Sequence, residues 1–148
     1  MKIYLAADHA GFDLKESVKD YLTQKGLDVE DCGAFEKNLG DDYPDFISKA
    51  ALKVSEDLES KGISFGKSGG GEAIVANKIK NIRAVVGFNP ENVRLSRTHN
   101  DANVLCLGSQ FISESLAKEM VDIFLETPFS NEERHIRRIN KISAIENK

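Results

Sequence analysis

Long apolar runs, paired cysteines, clustered histidines and any excess of positive charge are all missing from these 148 residues, and each absence removes a class of function. No stretch approaches the ~20 consecutive apolar residues of a membrane-spanning helix. The chain opens on a strand-like segment without the basic and apolar regions of a secretory leader, so the expectation is a cytoplasmic protein with no membrane partner. The two cysteines, Cys32 and Cys106, lie far apart beside apolar runs and read as reduced core thiols rather than a disulfide or a metal pair. Three histidines with no tight Cys/His spacing give no metal site. A net charge of −4 argues against a general nucleic-acid surface, so an anionic ligand must meet a local cluster of positive charge. With no repeat, low-complexity tract or Pro/Gly/Ser linker, residues 1–148 read as one domain.

What is present is concentrated in residues 62–87, where an apolar run, a glycine-rich loop, an amphipathic segment and a second apolar run predict strand, loop, helix and strand. Gly69, Gly70 and Gly71 are consecutive, which costs backbone entropy and implies that something approaches the backbone closely. A helix starting near Gly71 would aim amides of residues 67–71 at an anion, with the Ser68 hydroxyl beside them and Glu72 in the first turn. Two nucleotide motifs fail here. Gly66-Lys67-Ser68 lacks the first glycine of a Walker A loop, since position 61 is Lys, and Ile74 stands where a dinucleotide fingerprint needs its last glycine. Glu72 has a plain reading as a first-turn acid, although it follows Ser68 by four residues and not the three of a capping box.

The rest of the chain alternates short apolar runs with helical periodicity. Residues 2–7 form a strand ending at Asp8-His9-Ala10-Gly11, and Phe12, Leu14, Val18, Tyr21 and Leu22 mark a helix closed by Lys25-Gly26. A strand over 27–32, an irregular stretch to Asp45 and a helix through Phe46, Ala50, Val54 and Leu58 precede the glycine loop. After it come a helix opened by Asn89-Pro90, a strand over 103–107, a helix over 114–125 and a last helix from about residue 130 to 146. This is the pattern of an α/β fold: a three-layer αβα, Rossmann-like, doubly wound parallel sheet of five strands, expected in the order 2-1-3-4-5, with an additional C-terminal helix. In that order the switch point falls between strands one and three, bringing Asp8 and His9 beside the glycine loop.

Other candidates each carry a structural alternative. Asp8 and His9 reach a substrate or simply cap the following helix. His99 ends a helix, where histidine often serves only the dipole. Arg134 and Arg138 share a helical face four residues apart, either solvated or matched to a phosphate by their planar forks.

Together these stretches closely resemble ribose-5-phosphate isomerase type B, a family with galactose-6-phosphate and allose-6-phosphate isomerase relatives. The resemblance runs through Ala7-Asp8-His9-Ala10-Gly11, Asp42-Tyr43-Pro44, Ser68-Gly69-Gly70-Gly71-Glu72, Ala76-Asn77-Lys78, Arg83-Ala84, His99-Asn100-Asp101-Ala102-Asn103-Val104, and Arg134-His135 with Arg138. It implies an aldose–ketose isomerase acting on a sugar phosphate through a cis-enediolate, with no metal or organic cofactor. Members use either a cysteine at the start of the glycine loop or a glutamate at its end as base. The cysteine position here is Gly66, which leaves Glu72. The resemblance further implies that His99 assists ring opening, Asp8 binds or polarises sugar oxygens, and Ser68 with the amides of Gly69, Gly70 and Gly71 contacts the reacting C1–C2 oxygens. Tyr43 and Asn100 position the sugar, and His9, Arg134 and Arg138 clamp the phosphate. It implies a homodimer, with a tetramer as the other order, whose site is shared between subunits. Lys67 and Gln110 depart from the common pattern, the latter standing where many members have an arginine. The alternatives are therefore an isomerase of allose 6-phosphate, galactose 6-phosphate or a tetrose phosphate, and a non-catalytic sugar-phosphate binding module.

Overall fold

Five strands and six helices alternate in the computed structural model, which describes residues 1–148: β1 (Lys2–Ala7), α1 (Phe12–Gln24), β2 (Asp28–Asp31), α2 (Pro44–Glu56), β3 (Lys61–Gly66), α3 (Gly70–Ala76), β4 (Ala84–Val86), α4 (Pro90–Asn100), β5 (Val104–Gly108), α5 (Glu114–Glu126) and α6 (Glu133–Glu146). The strands are all parallel, as helical crossovers require. Side chains alternate between the two faces with the period of two that a pleated strand imposes. Ile3, Leu5, Ile63, Phe65, Leu105 and Leu107 meet α1, α4 and α5 on one face, where Leu14, Val18 and Leu22 recur at four-residue spacing. Ala6, Val104 and Cys106 meet α2 and α3 on the other, in the same cluster as Cys32.

The strand order is β2-β1-β3-β5-β4, not 2-1-3-4-5. Burial explains the exchange. All five residues of β5 are buried, so that strand needs a neighbour on each side, while β4 has three residues, two of them half-exposed, and serves as an edge. The chain therefore passes from β3 over α3 to the edge and returns by α4 on the opposite face.

Helix starts follow local chemistry. Asn89 and Asn92 form a reciprocal capping box at α4 with Pro90 in the first turn, and the Ser113 hydroxyl accepts from the Leu116 amide at α5, 3.1 Å. Two expected boundaries move. α2 ends at Glu56 and leaves Leu58 exposed, and α6 starts at Glu133 because Ser130 is folded back onto the helix. His135 is the one buried residue of α6, so Ile136, Ile142 and Ile145 lie open on its surface. No helix is long and apolar enough to cross a membrane.

Candidate active site

β1 and β3 are neighbours, and the helices that follow them lie on opposite faces of the sheet, so the loops leaving their carboxyl ends diverge. Into this opening the chain delivers Asp8 and His9 from one side and residues 66–72 from the other.

Glu72 folds back from the first turn of α3 over the end of β3. It is 4% exposed, and its Oε2 is buried with no hydrogen-bond partner. Burial pushes its pKa up; its own amide pulls the other way, the nearby Asp8 carboxylate adds to the rise and the Gly69 amide opposes it, leaving the pKa above the usual carboxylate range. Beneath it the Cys106 thiol is held neutral, its pKa driven far up by complete burial and, secondarily, by Glu72.

The glycines make room for the protein's own groups. A β-carbon at position 66 would lie 2.6 Å from Glu72 Oε2 and nearer still to Oε1, so the carboxylate occupies the space a side chain there would need. A β-carbon at Gly71 would lie 2.8 Å from Tyr43 Cζ, because the tyrosine ring rests on that glycine. Gly69, at φ +84°, turns the chain into α3 in the left-handed region that glycine reaches without strain. The Gly70 amide donates to Ser68 Oγ at 3.2 Å. The close visitors to this loop are thus a carboxylate and an aromatic ring of the same chain, where the bare sequence pointed to an external anion alone.

On the facing loop, Asp8 Oδ1 accepts from the amides of Ala10, 3.0 Å, and Gly11, 3.2 Å, which fixes the turn into α1 while keeping the carboxylate close to Glu72. His9 is held by a residue that periodicity and spacing did not single out. Asp41 Oδ1 lies 2.7 Å from His9 Nδ1 and accepts from the His9 amide at 3.1 Å. Donor atoms of Asp8, His9 and Asp41 lie within 4.8 Å of one another, the arrangement in this chain best able to hold a cation, although the two Oδ1 atoms are already engaged as described.

The remaining predicted residues gather elsewhere. His99 and Asn100 end α4, and Arg134 and Arg138 lie on the exposed face of α6. His99 stacks on His135, ring centroids 4.3 Å apart and planes tilted by 34°. His135 is buried, with Ser130 Oγ 2.6 Å from its Nδ1; burial first and then the His99 ring push its pKa down, so it stays neutral. Arg134 Nε pairs with Glu132 at 2.8 Å on open surface, where such a pair is easily exchanged for another anion. No hydrogen bond or ion pair joins this second group to Glu72, Ser68 or His9.

The sequence model for the family described as Ribose/Galactose Isomerase matches residues 3–142. Ribose-5-phosphate isomerase B of Mycobacterium leprae is 40% identical over 146 residues, covering 99% of this chain and 90% of the relative, and that of Escherichia coli is 40% identical over 145 residues, covering 98% and 96%. Among solved structures, ribose-5-phosphate isomerase B from Mycoplasma genitalium, with bound ribulose-5-phosphate, superposes with a TM-score of 0.96 at 37% identity, covering 99% of this chain and 97% of that one. The enzyme from Thermotoga maritima superposes with a TM-score of 0.92 at 43% identity, covering 97% of each. A family match over residues 3–142, with relatives 40% identical over nearly their whole length, shows that this chain belongs to the ribose/galactose isomerase family.

Proposed function

We propose that this chain interconverts D-ribose 5-phosphate and D-ribulose 5-phosphate, with Glu72 as the base. The observation that carries this reading is the Glu72 carboxylate itself: buried, raised in pKa, with Oε2 unpartnered, and set over the end of β3 beside Asp8. A carboxylate whose pKa is raised by burial is a stronger base than one in water, which favours proton abstraction from carbon. In the open-chain aldose it takes the proton from C2 and returns it to C1, while the hydroxyl proton passes from O2 to O1; atoms balance with no redox partner. The two bases used in the family, a cysteine at position 66 or a glutamate at position 72, would address one point in space, since the Glu72 carboxylate fills the volume beside Gly66.

Around this base Ser68 and the amides of Gly69 to Gly71 face the C1–C2 oxygens, Asp8 and Tyr43 hold the sugar, and His9 meets the phosphate. His99, which opens the ring, Asn100, and the phosphate contacts Arg134 and Arg138 come from the other subunit of a homodimer. The separation of these residues into two unlinked groups supports a shared site, as do the open isoleucines of α6. Localisation is cytoplasmic.

Glu72→Gln is expected to lower kcat by ~10²–10⁴-fold, the usual contribution of a positioned base, while a phosphate-ester inhibitor binds as before. Full turnover in that variant removes Glu72 from the mechanism. A second reading, an isomerase of another sugar phosphate, rests on Lys67 and Gln110, whose backbones meet at the rim of the loop with the Gln110 amide 3.1 Å from the Lys67 carbonyl. Turnover of ribose 5-phosphate against allose 6-phosphate, galactose 6-phosphate and a tetrose phosphate, with chelator present, separates the two; silence on all four leaves a binding module.

A further inference from the structure

We propose that Asp41 is a positioning residue for His9, locking the imidazole through Nδ1 so that Nε2 is presented to the phosphate of the substrate. This rests on the reading of His9 as a phosphate contact. Asp41 lies 32 residues away in the irregular segment before α2, yet its Oδ1 takes both the His9 amide, at 3.1 Å, and the His9 ring, at 2.7 Å from Nδ1. Two bonds from adjacent donors to one oxygen fix ring direction as well as position. The oxygen that accepts from the His9 amide is an acceptor for the ring as well, which puts the hydrogen on Nδ1 and leaves Nε2 as the outward atom. Two acids face the ring, Asp41 from this segment and Asp8 from the loop of His9 itself; Asp8 Oδ1 is committed to the amides of Ala10 and Gly11. A phosphate arriving at Nε2 then meets a ring whose direction is already fixed from the far side by the Nδ1 contact to Asp41.

Asp41 is placed at a cost to folding. Its side chain is 8% exposed, and Oδ2 is buried without any donor. A buried acceptor left unpaired opposes folding, so a group kept in that state is poorly explained as a structural tie. This separates the proposal from a scaffold role: removing the carboxylate should impair substrate capture without weakening the fold.

The experiment compares Asp41→Leu, Asp41→Asn and His9→Asn by steady-state kinetics on ribose 5-phosphate, thermal unfolding, and long-range ¹H–¹⁵N spectra of the histidine rings. Asp41→Leu is expected to raise KM about tenfold with kcat within about twofold and no fall in unfolding temperature, and to move the His9 proton from Nδ1 to Nε2. Asp41→Asn, which keeps an acceptor at Oδ1, is expected to retain the Nδ1–H form and most of the affinity. A raised KM in His9→Asn beside an unchanged KM in Asp41→Leu overturns the assignment of Asp41 alone, as does a joint loss of kcat and unfolding temperature in Asp41→Leu. A wild-type KM in His9→Asn overturns the phosphate reading of His9 and this proposal with it.

Discussion

At the scale of single residues, Glu72 and Gly66 work as a pair although six positions separate them. The carboxylate is folded over the glycine so closely that a β-carbon at position 66 would overlap it, 2.6 Å from Oε2 and closer to Oε1. Neither oxygen can retreat inward, because Glu72 is buried above a fully buried Cys106. Gly66→Ala should therefore push the Glu72 carboxylate, the proposed base, out of register, and a displacement of about 1 Å in a reacting group costs about 10²-fold in rate. The expected outcome is a kcat lower by that order with an unfolding temperature near wild type, since Glu72 can swing toward the open side of the loop. Unchanged kcat would mean that the carboxylate does not act from the position seen here. This relation was half legible in the sequence. Glu72 and the glycine at 66 were each identifiable through the family pattern, but that one exists to accommodate the other depends on a side-chain rotamer, which no spacing encodes. Asp41 was invisible for a related reason: its partner is 32 residues away and its loop has no period to read.

Among elements, the loop that leaves β2 is secured by a buried lysine. Lys15, on α1, is 0% exposed; its Nζ meets Asp31 Oδ2 at 2.6 Å and the Ala34 carbonyl at 2.8 Å, while Asp31 Oδ1 accepts from the Gly33 amide at 2.9 Å. Gly33 and Ala34 in turn pair with Ala7, so this cluster extends the sheet to the residue before Asp8. Burial alone would raise the pKa of Asp31; hydrogen bonds from Lys15, Lys19 and the Gly33 amide outweigh it and hold the pKa below the ordinary value of 3.8. A carboxyl depressed in the folded state stabilises fully above its unfolded pKa, and that contribution is lost as pH falls through the folded value. Lys15→Met, which takes one of three donors from the Asp31 carboxylate and leaves the Ala34 carbonyl without the lysine, should cost ~1–3 kcal/mol at pH 7. The difference from wild type should shrink below about pH 4, where wild type is losing the same interaction. Urea unfolding at several pH values measures both, and a difference that stays constant down to pH 3 would assign the loss to packing. Periodicity located every one of the strands and helices around this cluster, and it failed where neighbours are decided by burial: β5 enters the sheet between β3 and β4 because all five of its residues are apolar or small and buried, a property of the assembled sheet and not of the order of strands along the chain.

At the scale of the whole molecule, the residues proposed for the site fall into two separate groups. One holds Glu72, Ser68, Asp8 and His9 at the switch point; the other holds His99 against His135, with Asn100, Arg134 and Arg138 on exposed helix surface. Beside the second runs a groove lined by Ile82, Arg83, Asn100, Ile142 and Ile145, and Ile145 is 68% exposed, an apolar surface of the kind that a second copy covers. In a two-fold dimer each subunit gives what it takes, so two complete sites form or none does. Mixing tests this directly. Glu72→Gln and His99→Asn homodimers should each be nearly inactive, because every site in them carries the same lesion. After unfolding and refolding together, a heterodimer contains one site with both lesions and one with neither, which restores about a quarter of wild-type turnover to an equal mixture. If each site is built within one chain, every site keeps one lesion and mixing restores nothing. The recovered activity should also carry the wild-type KM, since the restored site contains the native Arg134 and Arg138 on one side and the native His9 on the other.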